Sequence, residues 1–144
     1  MQLGYVYTLM VSPNLAASAP TIEFFDGIYE DLSNVSLRRD RQTGDRIVLL
    51  IFKQLHAIEQ FRSYTSRFSN ALKLTDEEGQ IAIQPDSVQF VFGGPEGDDL
   101  DRVECKFAID RDDHWDRFMR FMHRYAEANG MAYGESEQEQ TEAS

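Results

Sequence analysis

Cysteine is nearly missing from this chain of 144 residues: Cys105 is the only one. A single thiol excludes an internal disulfide framework, and a reducing compartment is the simplest inference. Long apolar runs are missing too. The longest, "IVLLIF" (Ile47 to Phe52), is strand-sized and far short of the ~20 residues that span a bilayer as a helix. Positive charge is scarce, with 14 Lys and Arg against 25 Asp and Glu, a net charge of −11. Four of those acids, Glu135, Glu137, Glu139 and Glu142, lie in the final segment "ESEQEQTEAS". So acidic a chain repels nucleic-acid phosphates and anionic lipid headgroups, so no nucleic-acid partner and no direct membrane insertion are expected. Attachment to a membrane would run through another protein.

Catalytic and metal-binding sets are also lacking. The histidines are His56, His114 and His123. The last two stand nine positions apart on one helical segment, which puts them on opposite sides, and His56 has no second ligand near it in sequence. Cys105 alternates with Val103 and Phe107, the pattern of a buried small hydrophobe and not of an exposed nucleophile. The loop "GGPEGDD" has glycines but no lysine and three acids, the wrong sign for a phosphate cradle. Neither "DDLD" nor "DRDDHWD" has the glycine and closing glutamate of a calcium loop. No metal, cofactor or catalytic residue is expected, and nothing here requires an enzyme.

The pattern that is present is mostly strand. "TIEFF" is a short strand and "GIYED" a turn out of it. "NVSLRRDR" alternates Val35 and Leu37 with Ser36 and Arg38. "QTGD" (Gln42 to Asp45) supplies a hairpin turn. "RIVLLIFK" is apolar throughout, as in a central strand covered on both faces. "QLHAIEQF" spaces Leu55, Ile58 and Phe61 as a short helix. "ALKLT", the acidic turn "DEEG" and "QIAIQ" follow. "SVQFVF" directs Val88, Phe90 and Phe92 to one face, and "DRVECKFAI" directs Val103, Cys105, Phe107 and Ile109 to one face.

The first twenty residues have no clear period and no Lys or Arg, so they read as a poorly specified extension and not as a secretory signal. Three regions are therefore expected: an N-terminal extension over 1–20, a single domain over 21–134, and an acidic disordered tail over 135–144. Strand after strand, with helices near the ends, argues an α+β class: a mainly antiparallel β-sheet packed against a long C-terminal amphipathic helix and a short helix.

That long helix is "DDHWDRFMRFMHRYAEANG", Asp112 to Gly130. At about 100° per residue, Trp115, Phe118, Met119, Phe121, Met122, Tyr125 and Ala126 share an arc of about 160°, a core face. Asp112 or Asp113 suits the first turn, and Gly130 a left-handed C-terminal cap. On the other side, Arg117, Arg120 and Arg124 lie within about 60° of one another. They read either as a solvated ridge balanced by Asp116 and Glu127, or as a docking patch for an acidic or carbonyl-rich protein surface. Arg38, Arg39, Arg41 and Arg46 form a second basic cluster about the "QTGD" hairpin.

"TGD" between two strands, "DEEGQI", and above all "WDRFMRFMHRYAEANG" followed by a short strand resemble the photosystem II assembly factors of the Psb twenty-eight family. The likeness runs in one order from about Thr21 to Gly134. It implies a non-enzymatic factor without a cofactor of its own, peripheral on the cytoplasmic (stromal) face of the thylakoid, with a soluble pool. The implied partners are photosystem II core subunits: an inner-antenna chlorophyll protein and a cytoplasmic loop of the reaction centre on the secondary-quinone side. The resemblance also implies that the segment after the helix, Met131, Ala132, Tyr133 and Gly134, extends a sheet with that loop, Arg117, Arg120 and Arg124 contributing. The alternative is a soluble factor that supports chlorophyll-protein synthesis by binding pigment or nascent apoprotein. The N-terminal extension, the long tail, and the segments "QLHAIEQFRSYTSRF" and "GGPEGDDLDRVECKF" depart from the family pattern, as in a divergent paralogue.

Overall fold

A computed structural model describes residues 19–63 and 71–132. In chain order the elements are β1 (Thr21–Phe25), β2 (Ile28–Tyr29), β3 (Asn34–Arg39), β4 (Arg46–Phe52), α1 (Ile58–Ser63), β5 (Leu72–Asp76), β6 (Gly79–Ile83), β7 (Ser87–Gly93), β8 (Asp99–Ile109) and α2 (Asp112–Ala128). The class is α+β, and among the described residues every pairing between neighbouring strands is antiparallel. The strands divide into two four-stranded sheets where the sequence pattern pointed to one. Sheet one runs β2-β1-β5-β6 and sheet two β3-β4-β8-β7. Alternation reports which face a residue takes but not which sheet its strand joins, so this division had no local signal.

Alternating positions of both sheets supply one core. Val48, Leu50 and Phe52 of β4 and Val103, Cys105 and Phe107 of β8 are fully or almost fully buried, as are Ile22, Phe24, Leu72 and Leu74 of sheet one. Phe24 meets Phe52 edge-on at 5.4 Å, which ties one sheet to the other. Phe61 of α1 contacts Phe24, Phe25 and Phe90 at 5.0–5.4 Å. Edge-to-face geometry of this kind adds about 0.5–1.5 kcal/mol per pair beyond the area buried.

Three local expectations change. "GIYED" is not only a turn: Ile28 and Tyr29 pair with β1 as a two-residue strand. The register shifts between Val91 and Phe92, and Phe92 is 53% exposed, unlike the half-buried Val88 and Phe90. Strand β4 is central, but only one of its faces is deeply buried. Ile47, Leu49 and Ile51 stay half-buried and outside the core cluster.

Candidate functional site

Strand β8 ends at Ile109, and Arg111, in extended conformation, sits at the cap position of α2. Its guanidinium binds Asp113 with bonds of 3.0 and 2.8 Å. Asp113 also accepts the His114 N–H, whereas Asp112 turns to Arg46 at 2.8 Å. The Arg46 guanidinium lies over the Trp115 ring, 5.3 Å from its centroid. At the other end Gly130 takes φ +68°, and the Met131 N–H donates to the Ala126 carbonyl at 2.8 Å. That left-handed glycine with a bond back across the last turn is the cap its position calls for.

The buried positions of α2 are Phe118, Phe121, Met122, Tyr125 and Ala126, with Trp115 and Met119 half-buried against them. Phe118 meets Phe107 of β8 edge-on at 5.7 Å. The Tyr125 hydroxyl accepts the Leu32 N–H at 3.0 Å, which fixes the end of α2 beside the start of β3.

The arginine face is not an open ridge. All three guanidiniums turn onto the β5–β6 turn, the "DEEG" of the sequence. Arg117 donates to both Asp76 oxygens at 2.7 and 3.0 Å, and to the Gly79 carbonyl at 3.2 Å. Arg124 donates to Asp76 Oδ2 at 2.9 Å and to Glu78 Oε2 at 2.6 Å, and pairs with Glu77 at 3.7 Å. Arg120 grips Glu78 through bonds of 2.7 and 2.9 Å. Their ion-pair partners are thus Asp76, Glu77 and Glu78, and not Asp116 and Glu127 of their own helix.

Asp76 is the centre of this network. Its side chain is fully buried, and with the Glu78 N–H it accepts four hydrogen bonds, the full capacity of a carboxylate. Burial pushes its pKa up, but the bonds from Arg117 and Arg124 and the Glu78 N–H outweigh it, leaving Asp76 below the usual aspartate range. Arg120 and then Arg124 hold the Glu78 carboxyl down to about 2. Sequence reasoning noticed the arginines and the acidic turn separately. Nothing in their spacing linked them.

The remaining expected site residues scatter. Met131 is half-buried against the core and Ala132 is exposed, and neither lies in a strand. Tyr133 and Gly134 lie outside the described residues, as do most of the extension and all of the tail. In the basic hairpin, Arg39 donates to the Gly44 carbonyl at 2.9 Å, while Arg38 and Arg41 are exposed. Cys105 is buried, and burial pushes its thiol up to about 12. Among the described residues no group of three or more His, Cys, Asp and Glu is placed to hold a metal ion.

One buried carboxylate had no sequence signal. Glu30, 3% exposed, accepts the His56 and Ala57 N–H groups at 2.7 and 3.0 Å, where the chain enters α1. Burial raises its pKa despite those two bonds. His56 Nδ1 lies 2.8 Å from the Tyr29 carbonyl, a contact that raises the imidazole pKa.

Comparison with known proteins places this chain in a family. A family model described as "Psb28 protein" matches residues 22–133. The chain is 33% identical over 113 residues to the "Photosystem II reaction center Psb28 protein" of Guillardia theta, covering 78% of this chain and 92% of that protein. The relative of the same name from Thalassiosira pseudonana is 34% identical over 113 residues, covering 78% and 94%. That from Synechococcus elongatus is 33% identical over 118 residues, covering 80% and 96%.

Proposed function

The chain belongs to the Psb28 protein family, and from that membership we propose that it is a non-enzymatic factor that attaches transiently to immature photosystem II during assembly or repair. The match over residues 22–133 carries this reading. The protein then sits peripherally on the cytoplasmic (stromal) face of the thylakoid membrane. Its neighbours there are an inner-antenna chlorophyll protein and the secondary-quinone side of the reaction centre. Among the described residues no helix is long and apolar enough to cross a membrane, in keeping with attachment through protein partners.

Docking runs through Met131, Ala132, Tyr133 and Gly134 and the sheet edge beside them. Tyr125 ties the end of α2 to Leu32, two residues before β3, and among the described residues β3 pairs with a neighbour on one side only. An extended loop of a partner laid along such an edge satisfies its unpaired backbone groups. Arg120, with half of its side chain exposed, is the arginine best able to meet a partner as well. Arg117 and Arg124 contribute by holding the "DEEG" turn in place.

Purification of a tagged copy from cells that accumulate immature photosystem II tests the reading. Reaction-centre and inner-antenna subunits are expected to co-elute with the full-length chain, and recovery of none of them overturns it. Removing Met131 onward should abolish recovery if the segment after α2 is the contact. Arg120→Glu should do so if the helix face is.

A further inference from the structure

The outward face of sheet two carries an apolar stripe that no described element covers. Ile47, Leu49 and Ile51 point away from the core along β4, the central strand. Each is half-buried and none joins the core cluster. Across the ladder they face Arg38 of β3 and Lys106 and Glu104 of β8. Ile47 and Leu49, with Arg38, Glu104, Lys106 and, from β7, Ser87 and Gln89, line a shallow hollow of about 240 Å³ whose walls all belong to the same sheet. Glu104 is neutralised by Arg102 at 2.7 Å, and the stems of Arg38 and Lys106 add apolar surface while their heads stay in water. A strand as uniformly apolar as "IVLLIF" is built for cover on both faces.

We propose that residues 1–18 of this same chain supply that cover. The segment "MQLGYVYTLMVSPNLAAS" holds no charged side chain, in a protein with 25 acids, and it carries Leu3, Tyr5, Val6, Leu9, Met10 and Val11. It can lie along the stripe without bringing charge into contact with Ile47 or Leu49. Eighteen residues reach up to about 60 Å when extended, more than the width of a domain of this size, so the start of β1 leaves the whole face within range. The family match begins at residue 22, so this cover is an addition to the length shared with the relatives. It does not depend on the proposed attachment to photosystem II.

Paramagnetic labelling of the full-length chain tests it. A nitroxide on a Leu9→Cys variant reacts selectively, because the native Cys105 thiol is buried. The methyl signals of Ile47, Leu49 and Ile51 should lose most of their intensity and regain it when the nitroxide is reduced. Leu74, in the core of sheet one, serves as the reference. Leu49→Asp, on the outward face beside Lys106, should release the segment and abolish the loss. Removing residues 1–18 should raise the fluorescence of an apolar dye. Full methyl intensity in the labelled chain overturns the proposal and leaves the face to a partner. Equal attenuation in molecules that carry no nitroxide, when they are mixed with nitroxide-labelled ones, also overturns it, with a second copy as the occupant.

Discussion

Arg117 and Asp76 meet as a fork, Nη1 on Oδ2 at 3.0 Å and Nη2 on Oδ1 at 2.7 Å, though they stand 41 residues apart. A charge-assisted, two-point bond to a carboxylate without solvent access is far stronger than the exposed pairs of most surface helices. It fastens the middle of α2 to the β5–β6 turn.

Asp76→Ala therefore strands two guanidiniums and loses the Glu78 N–H acceptor. The expected cost is about 2–3 kcal/mol, below the ~3–5 kcal/mol for breaking a fully buried pair, because Arg117 and Arg124 retain partial solvent access. Arg120→Ala, at an exposed position, should cost about 1 kcal/mol or less. Urea unfolding distinguishes the two: both should shift the midpoint with little change in slope, and an equal shift would remove Asp76 from the centre of the network.

Acid should loosen the same joint. Asp76 and Glu78 both have folded-state pKa values below their unfolded ones, so their stabilisation is complete above about pH 4.5, the ordinary value for Glu. It is lost as pH falls through the folded values, about 2 in the case of Glu78. Stability measured from pH 6 down to pH 2 should fall over that window. The fall should be shallower in Glu78→Gln, and a parallel curve for that variant would contradict the assignment.

Glu30 holds the entrance of α1 by accepting two backbone N–H groups. In Glu30→Ala these become unsatisfied, at a cost of about 1–3 kcal/mol per buried group left without a partner. Hydrogen exchange should show faster exchange at His56 and Ala57 before the sheets are affected. Unchanged protection at those two amides would mean that water replaces the carboxylate.

The Cys105 thiol, raised to about 12 by burial, should not react with a thiol reagent in the native protein at pH 8. One equivalent should react promptly in denaturant. Prompt reaction without denaturant would mean that β8 opens readily.

Much of the fold was legible because its signals are local. The buried run Val103, Cys105, Phe107 and Ile109 follows directly from a period of two, and the apolar arc of α2 from a period of 3.6. Gly130 announced its own cap, since a left-handed residue is costly without glycine. The candidate site was less legible. Arg117, Arg120 and Arg124 could be assigned to one face, yet their partners could not be named, because any of many acids in so acidic a chain would have served. The 53% exposure of Phe92 had no local signal, because a register shift leaves no residue-type mark.

By itself, then, the sequence determined the kinds of element, their order, which side of each strand seeks the core, and the family to which the chain belongs. These depend on side-chain period, turn residues and shared strings, all of which are written along the chain. Only the tertiary structure decided that the strands form two sheets, that the arginine face is committed to Asp76 and Glu78, and that the described elements leave one face of β4 only half-buried. Those outcomes depend on which distant segments arrive side by side, and an ion pair or a half-buried apolar face exists only after they have done so.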